Sequence, residues 1–214
     1  MQLGGMAGVI YRVAEWIVRL AYLNLLWIGF SLAGLIVFGF WPATAAMFAI
    51  IRRWRMGDSE FPIFKSFWVY FKSDFINVNL LGIILTIFGI TLYVNIRFIQ
   101  VSSFTLFEIL NVSLWVLAFF YCLTLLYIIP VYVHYEFNLL QVIKNAFLMM
   151  ILNPLTTFFM VSGCFVIYIA FVFLPSVIPF FGGSGVALGI MFFATSAFNR
   201  IEKKRTRLVG PKSN

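Results

Sequence analysis

The sequence predicts an all-α fold, a polytopic helical membrane protein with six membrane-embedded helices, and three observations predict it. Of 214 residues, 63% are hydrophobic and only 10% charged, with a mean hydropathy of +1.03. A water-facing surface cannot be built from that composition. Charge is missing in blocks: Asp, Glu, Lys, Arg and His are absent from 20–51, 75–96, 109–133 and 145–199, runs of 32, 22, 25 and 55 residues. A helix needs about 20 apolar residues to cross roughly 30 Å of hydrocarbon, so two runs are single spans and the last holds two. Finally, Lys and Arg gather at the ends of these runs, as insertion topology requires.

Residues 1–19 place Val9, Val13, Trp16, Ile17 and Leu20 at helical spacing, with Arg12, Glu15 and Arg19 among them. This predicts an interfacial helix leading into the first span. That span runs over 20–40 and carries Gly29, Ser31, Gly34 and Gly39, small residues that let helices approach in lipid. Pro42 lacks a backbone donor and biases Trp41 away from helix, so the chain is expected to break there. A second helix after Pro42, from 43 to about 56, is short or re-entrant and ends at Arg52, Arg53 and Arg55, whose stems can snorkel. The run before it exceeds the apolar core of a signal peptide, so the Ala43-Thr44-Ala45 pattern is not read as a cleavage site. With six crossings both termini are cytoplasmic and every Lys and Arg except Arg97 is inside.

Residues 57–74 are the most patterned stretch. Asp58, Ser59 and Glu60 offer caps, Pro62 fits a first turn, and Phe61, Phe64, Phe67, Trp68, Phe71 and Phe75 recur at spacings of three and four. Lys65 and Lys72 lie off the stripe, which makes this an amphipathic elbow helix on the cytoplasmic interface. A second elbow is expected at 138–150. The spans between and after them close at Arg97, whose partner across the outer turn is expected to be Glu108, and at His134 and Glu136. Pro175, Pro179 and Gly182, Gly183 and Gly185 mark another outer turn. The tail 200–214 is basic and is expected to anchor on anionic lipid at the cytoplasmic face. The whole chain reads as one membrane domain.

Little chemistry is visible. None of the seven carboxylates falls inside an expected span, which argues against a carboxylate proton relay. His134 has no companions at ligand spacing, and no phosphate-loop, dinucleotide, zinc-protease or nucleophile-elbow motif occurs. No enzyme activity, metal or cofactor is therefore expected, and no nucleic acid, because the basic residues form no face a phosphate backbone could follow. The polar residues inside or beside spans are asparagines. Asn24, Asn77, Asn79 and Asn153 are the candidates either for contacts that hold helices together or for a shared polar cavity. Cys122 and Cys164 read as packing residues.

Several blocks carry a family resemblance. Asn24-Leu25-Leu26-Trp27, Leu35 to Gly39, Pro42 to Phe48, Arg52-Arg53-Trp54, and Phe64 to Trp68 through Phe71-Lys72 to Asn79-Leu80-Leu81-Gly82 resemble the YesL family of bacterial integral membrane proteins. The resemblance is distinctive over the first two fifths of the chain. It implies a bacterial cell-membrane location and no known catalytic residues. Members of the family are often encoded beside carbohydrate uptake and degradation systems, which implies an accessory or scaffold role near such a transporter, with transporter subunits or a second copy of the chain as partners. The alternative is a small-solute permease acting alone or as a dimer. The chain lacks the E-A-A coupling loop of a binding-protein-dependent permease.

Overall fold

The structure is a computed structural model describing residues 6–101 and 105–209. It is all helical, with no strand among the described residues. The helices are α1 (Met6–Ala33), α2 (Phe40–Arg55), α3 (Ile63–Ser73), α4 (Phe75–Val101), α5 (Thr105–His134), α6 (Leu139–Leu152), α7 (Pro154–Phe173) and α8 (Ile178–Val209), with a 3-10 turn at Pro175–Val177. Among the described residues, five are long and apolar enough to cross a membrane, namely those over Gly8–Ala33, Phe75–Ile99, Asn111–His134, Pro154–Phe173 and Pro175–Lys203. The helix expected to be the sixth embedded one, α2, is not among the five and has 16 residues, about 24 Å of helix. The expected interfacial helix at 1–19 is not a separate element where it is described, because α1 continues through it unbroken to Ala33. For the expected Arg97–Glu108 pair, the side chain of Glu108 lies outside what is described.

The short helix is the centre of the molecule. It packs against α1, α3, α4, α5 and α8. Ala43, Ala46, Ile50 and Ile51 are at most 1% exposed. Alanines on two faces permit this, since a thin helix lets neighbours close in from several sides. Trp41 packs over Gly82 of α4, where any side chain would collide with the indole.

The expected break at Trp41-Pro42 is displaced. The turn occupies residues 34–39, and Pro42 sits in the first turn of α2, where its missing N–H has no helical acceptor in any case. The chain reverses through a helix cap in which Ile36 N–H donates to Ser31 O (2.8 Å) and Leu35 N–H to Leu32 O (3.0 Å). That geometry places the first residue past the end in the left-handed region and usually selects glycine. Here the position is Leu35 at φ 56°, followed by Ile36 at φ 63°. The same cap closes α2 with the residue it favours, Gly57 at φ 90°, with Asp58 N–H donating to Arg53 O at 3.1 Å. Gly34 and Gly39 close the α1–α2 tip by direct backbone approach, and a Cβ at Gly39 would stand 2.5 Å from Ser31 O.

The stripe of α3 is present but faces protein as well as the bundle exterior. Phe30 of α1 is ringed by Phe64, Phe67, Trp68 and Phe71 at centroid distances of 6.1, 5.0, 5.6 and 5.1 Å. Phe67 and Phe71 are buried, whereas Phe64 and Trp68 keep about half their surface open, and Lys65 and Lys72 are exposed. Beyond α5, α6 opens with a reciprocal cap between Asn138 and Gln141 and folds back along α5, so that Met150 meets Thr124, ten residues before the end of α5.

Left-handed leucine is costly by about 1 kcal/mol. Leu35→Gly, at a side chain that is 78% exposed, is therefore expected to raise the thermal midpoint of the purified protein. Gly39→Ala is expected to lower it, because the tip cannot close around the new methyl group.

Candidate functional site

The four asparagines do not meet. Asn24, 1% exposed, clips one turn of α8: its Nδ2 donates to Pro179 O (2.7 Å), while Oδ1 accepts from the backbone N–H groups of Gly183 (2.9 Å) and Ser184 (3.0 Å). One turn further along α1, Trp27 Nε1 donates to Thr44 Oγ1 at 3.0 Å and ties α1 to α2. Asn79 Nδ2 donates to Phe38 O and Phe75 O, both at 2.9 Å, and so fastens the α1–α2 tip to α4. Asn153 Nδ2 donates to Met149 O at 3.1 Å within the α6–α7 corner, where Thr157 also joins Asn153 O and the hydroxyl of buried Tyr127. Asn77 is exposed on the surface of α4. Three buried amides thus satisfy three separate pieces of backbone, which is the work expected of amides in an apolar interior.

The three arginines at the end of α2 have partners within the bundle. Arg53 Nε and Nη2 donate to Asp58 Oδ2 (2.9 and 2.5 Å), Nη1 donates to Ser66 Oγ (3.3 Å), and the guanidinium covers the Phe61 ring at 3.8 Å. Arg53 thereby holds the 56–62 turn and the first turn of α3 against α2. Arg55 lies over Phe192 of α8 at 4.4 Å. Arg52 Nε donates to His134 Nδ1 at 3.2 Å. That bond makes Nδ1 an acceptor, so in this arrangement the imidazole proton sits on Nε2, 3.9 Å from Glu202 Oε1.

Arg52 opens onto the one constellation the sequence did not suggest. A cleft of about 300 Å³ is lined by Ala49 and Arg52 of α2, Tyr70 of α3, Asp74, and the end of α5 from Tyr132 through Phe137. Asp74, in the α3–α4 corner, lines the cleft together with Tyr132. Burial pushes the Asp74 carboxyl above the usual carboxylate range, and the nearby Tyr132 and Ser73 hydroxyls pull the other way. Two further clefts are apolar. One of about 300 Å³ lies among α4, α5 and α6, and one of about 420 Å³ among α5, α6 and α7. Among the described residues, no group of three or more His, Cys, Asp and Glu side chains could hold a metal ion.

Residues 20–96 match the family described as "Protein of unknown function, DUF624". Three proteins of Bacillus subtilis (strain 168) match nearly end to end. The chain is 37% identical to "Uncharacterized protein YesV" over 90% of its own length and 93% of the relative. It is 34% identical to "Uncharacterized protein YteU" over 95% and 91%, and 30% identical to "Uncharacterized protein YesL" over 97% and 98%. The likeness therefore extends well past residue 100. No solved structure matches.

Asn24→Ala is expected to cost about 1 to 2 kcal/mol, because the α8 carbonyl and N–H groups it clips stay buried without it; thermal unfolding in detergent measures this. For Asp74 the folded carboxyl binds its proton more tightly than the unfolded one, whose reference value is 3.8. Its contribution to stability is therefore fully present below that value and is lost as pH rises through the folded pKa. Asp74→Asn, which keeps the shape of the side chain without its titrating proton, is expected to gain stability relative to the parent as pH rises from about 4 to 7. A constant difference across that range would contradict the buried carboxyl.

Proposed function

We propose a function from one premise: the chain belongs to the DUF624 family. In our reading it is a non-enzymatic multi-pass protein of the bacterial cell membrane, with both termini cytoplasmic, acting as an accessory or scaffold component beside a carbohydrate transporter. The observation that carries this reading is the separate employment of Asn24, Asn79 and Asn153 on three pieces of backbone. A permease builds a polar path near the midplane, often from broken helices, and here the amides available for one hold the bundle shut. The basic ends of α2 and α8, with Lys65 and Lys72 beside them, support a cytoplasmic face resting on anionic lipid. The carbohydrate association rests on the genomic setting implied by the family resemblance.

The permease reading is favoured by one feature, the polar cleft bounded by Arg52, Asp74 and Tyr132. It lies at the ends of α2 and α5 and would serve as a vestibule.

Purification of the protein from its own membrane under mild conditions, followed by identification of co-purifying chains, distinguishes the two. Stoichiometric carbohydrate-transporter subunits are the expected result. A protein that purifies alone and moves a sugar across liposomes would establish the permease instead.

A further inference from the structure

The cleft among α2, α3 and α5 brings charged groups of opposite sign into one space. Asp74 immediately precedes the span Phe75–Ile99, and His134 is the last residue of the span Asn111–His134. The cleft they line therefore lies where two spans leave the hydrocarbon, at the depth of lipid headgroups. Arg19 and Arg53 are each paired with a carboxylate, Glu15 and Asp58. Arg52 differs: among the described residues no carboxylate lies within ion-pair distance of it, and its one hydrogen bond, through Nε, goes to an imidazole. The Nη edge of its fork is left for something else, and an arginine fork is shaped for a phosphate or carboxylate.

The same cleft carries a negative group, since Asp74 is half-buried in it and Glu136 stands at its edge. A simple anion on Arg52 would face these carboxylates, and a simple cation on Asp74 would face Arg52. A molecule with an anionic group and an N–H-bearing cation a short distance apart satisfies both. Tyr70 and Tyr132 also line the cleft. At about 300 Å³ the space is at the small end of ligand pockets. Along α5, Leu125 lies seven residues before Tyr132 and so on the same face. It lines the apolar cleft among α4, α5 and α6, about 10 Å deeper in the bundle. The polar cleft thus has an apolar one beneath it on a shared helix.

We propose that the Arg52–Asp74–Tyr132 cleft is a binding site for a phosphoethanolamine group, with the phosphate on the Arg52 fork and the ammonium on Asp74. This is independent of the accessory role. The group can arrive as the headgroup of phosphatidylethanolamine or on a soluble phosphoester, and the test separates the two.

The full-length protein is delipidated in detergent, and native mass spectrometry follows the adducts formed with phosphatidylethanolamine, phosphatidylcholine and phosphatidylglycerol. The expected result is one retained phosphatidylethanolamine, held about tenfold more tightly than either of the others. Phosphatidylcholine lacks the N–H donors that Asp74 accepts, and phosphatidylglycerol lacks the cation. Arg52→Gln and Asp74→Asn are each expected to abolish the preference, and Lys144→Gln, at an exposed position on α6, to keep it. Displacement of the lipid by an equal concentration of glycerophosphoethanolamine supports the site with a soluble source, and failure to displace supports it with the lipid as source. Equal retention of all three lipids by the parent protein, a result that needs no variant to fold, would overturn the proposal. So would a preference unchanged in both cleft variants.

Discussion

A helix of sixteen residues with almost no exposed apolar surface on its packed faces can persist in a membrane protein only if its neighbours satisfy everything it presents. The rest of the fold follows from α2 meeting that condition. Its alanines allow five helices to reach it, and Gly34 and Gly39 let the chain turn tightly enough to return it beside α1. Its three terminal arginines are distributed to three directions: α5 through His134, the α3 elbow through Asp58 and Ser66, and α8 through Phe192. The left-handed Leu35 and Ile36 are the local cost of that arrangement. It is offset because the turn sets the register in which Trp27 reaches Thr44 and Asn79 reaches Phe38.

Buried polarity in this bundle is used for closure. Asn24 holds α8, Asn79 holds the tip, and Thr157 with Tyr127 holds the α6–α7 corner to α5. Each amide or hydroxyl removes a backbone group from an environment where it would cost free energy unpaired. Charge is placed differently. It collects where α2, α3, α5 and α8 end, and there Arg52 and Asp74 leave a polar recess while their neighbours Arg53 and Asp58 neutralise one another.

The membrane class was legible because uncharged runs of 22 residues or more are long enough to cross the hydrocarbon and too apolar to face water. The family was legible from the blocks between Asn24 and Gly82, which the match over residues 20–96 covers. The position of the first reversal was not. Pro42 is a strong local signal, yet proline fits the first turn of a helix as well as it ends one, and Leu-Ile-Val-Phe gives no sign of left-handed backbone. The stripe on α3 could be read from its spacing, but the burial of Phe67 and Phe71 depends on Phe30, which lies more than thirty residues earlier. The polar cleft was invisible for the same reason. Arg52, Asp74 and Tyr132 come from three separate stretches, and only the packing of α2 and α3 on the end of α5 brings them to one space.

The central claim is that α2 is a dry packing core and not the wall of a polar path. Water-soluble thiol reagents test this directly in membrane vesicles of both orientations. With Cys122 and Cys164 replaced by Ser, single cysteines are placed at Ala43, Ala46 and Ile50, which are at most 1% exposed, and at Ser59 in the loop after α2. Protection of the three helix positions from both sides, with labelling at position 59, is the expected result. Labelling along α2 from either face would show water reaching the centre of the bundle and would contradict the account.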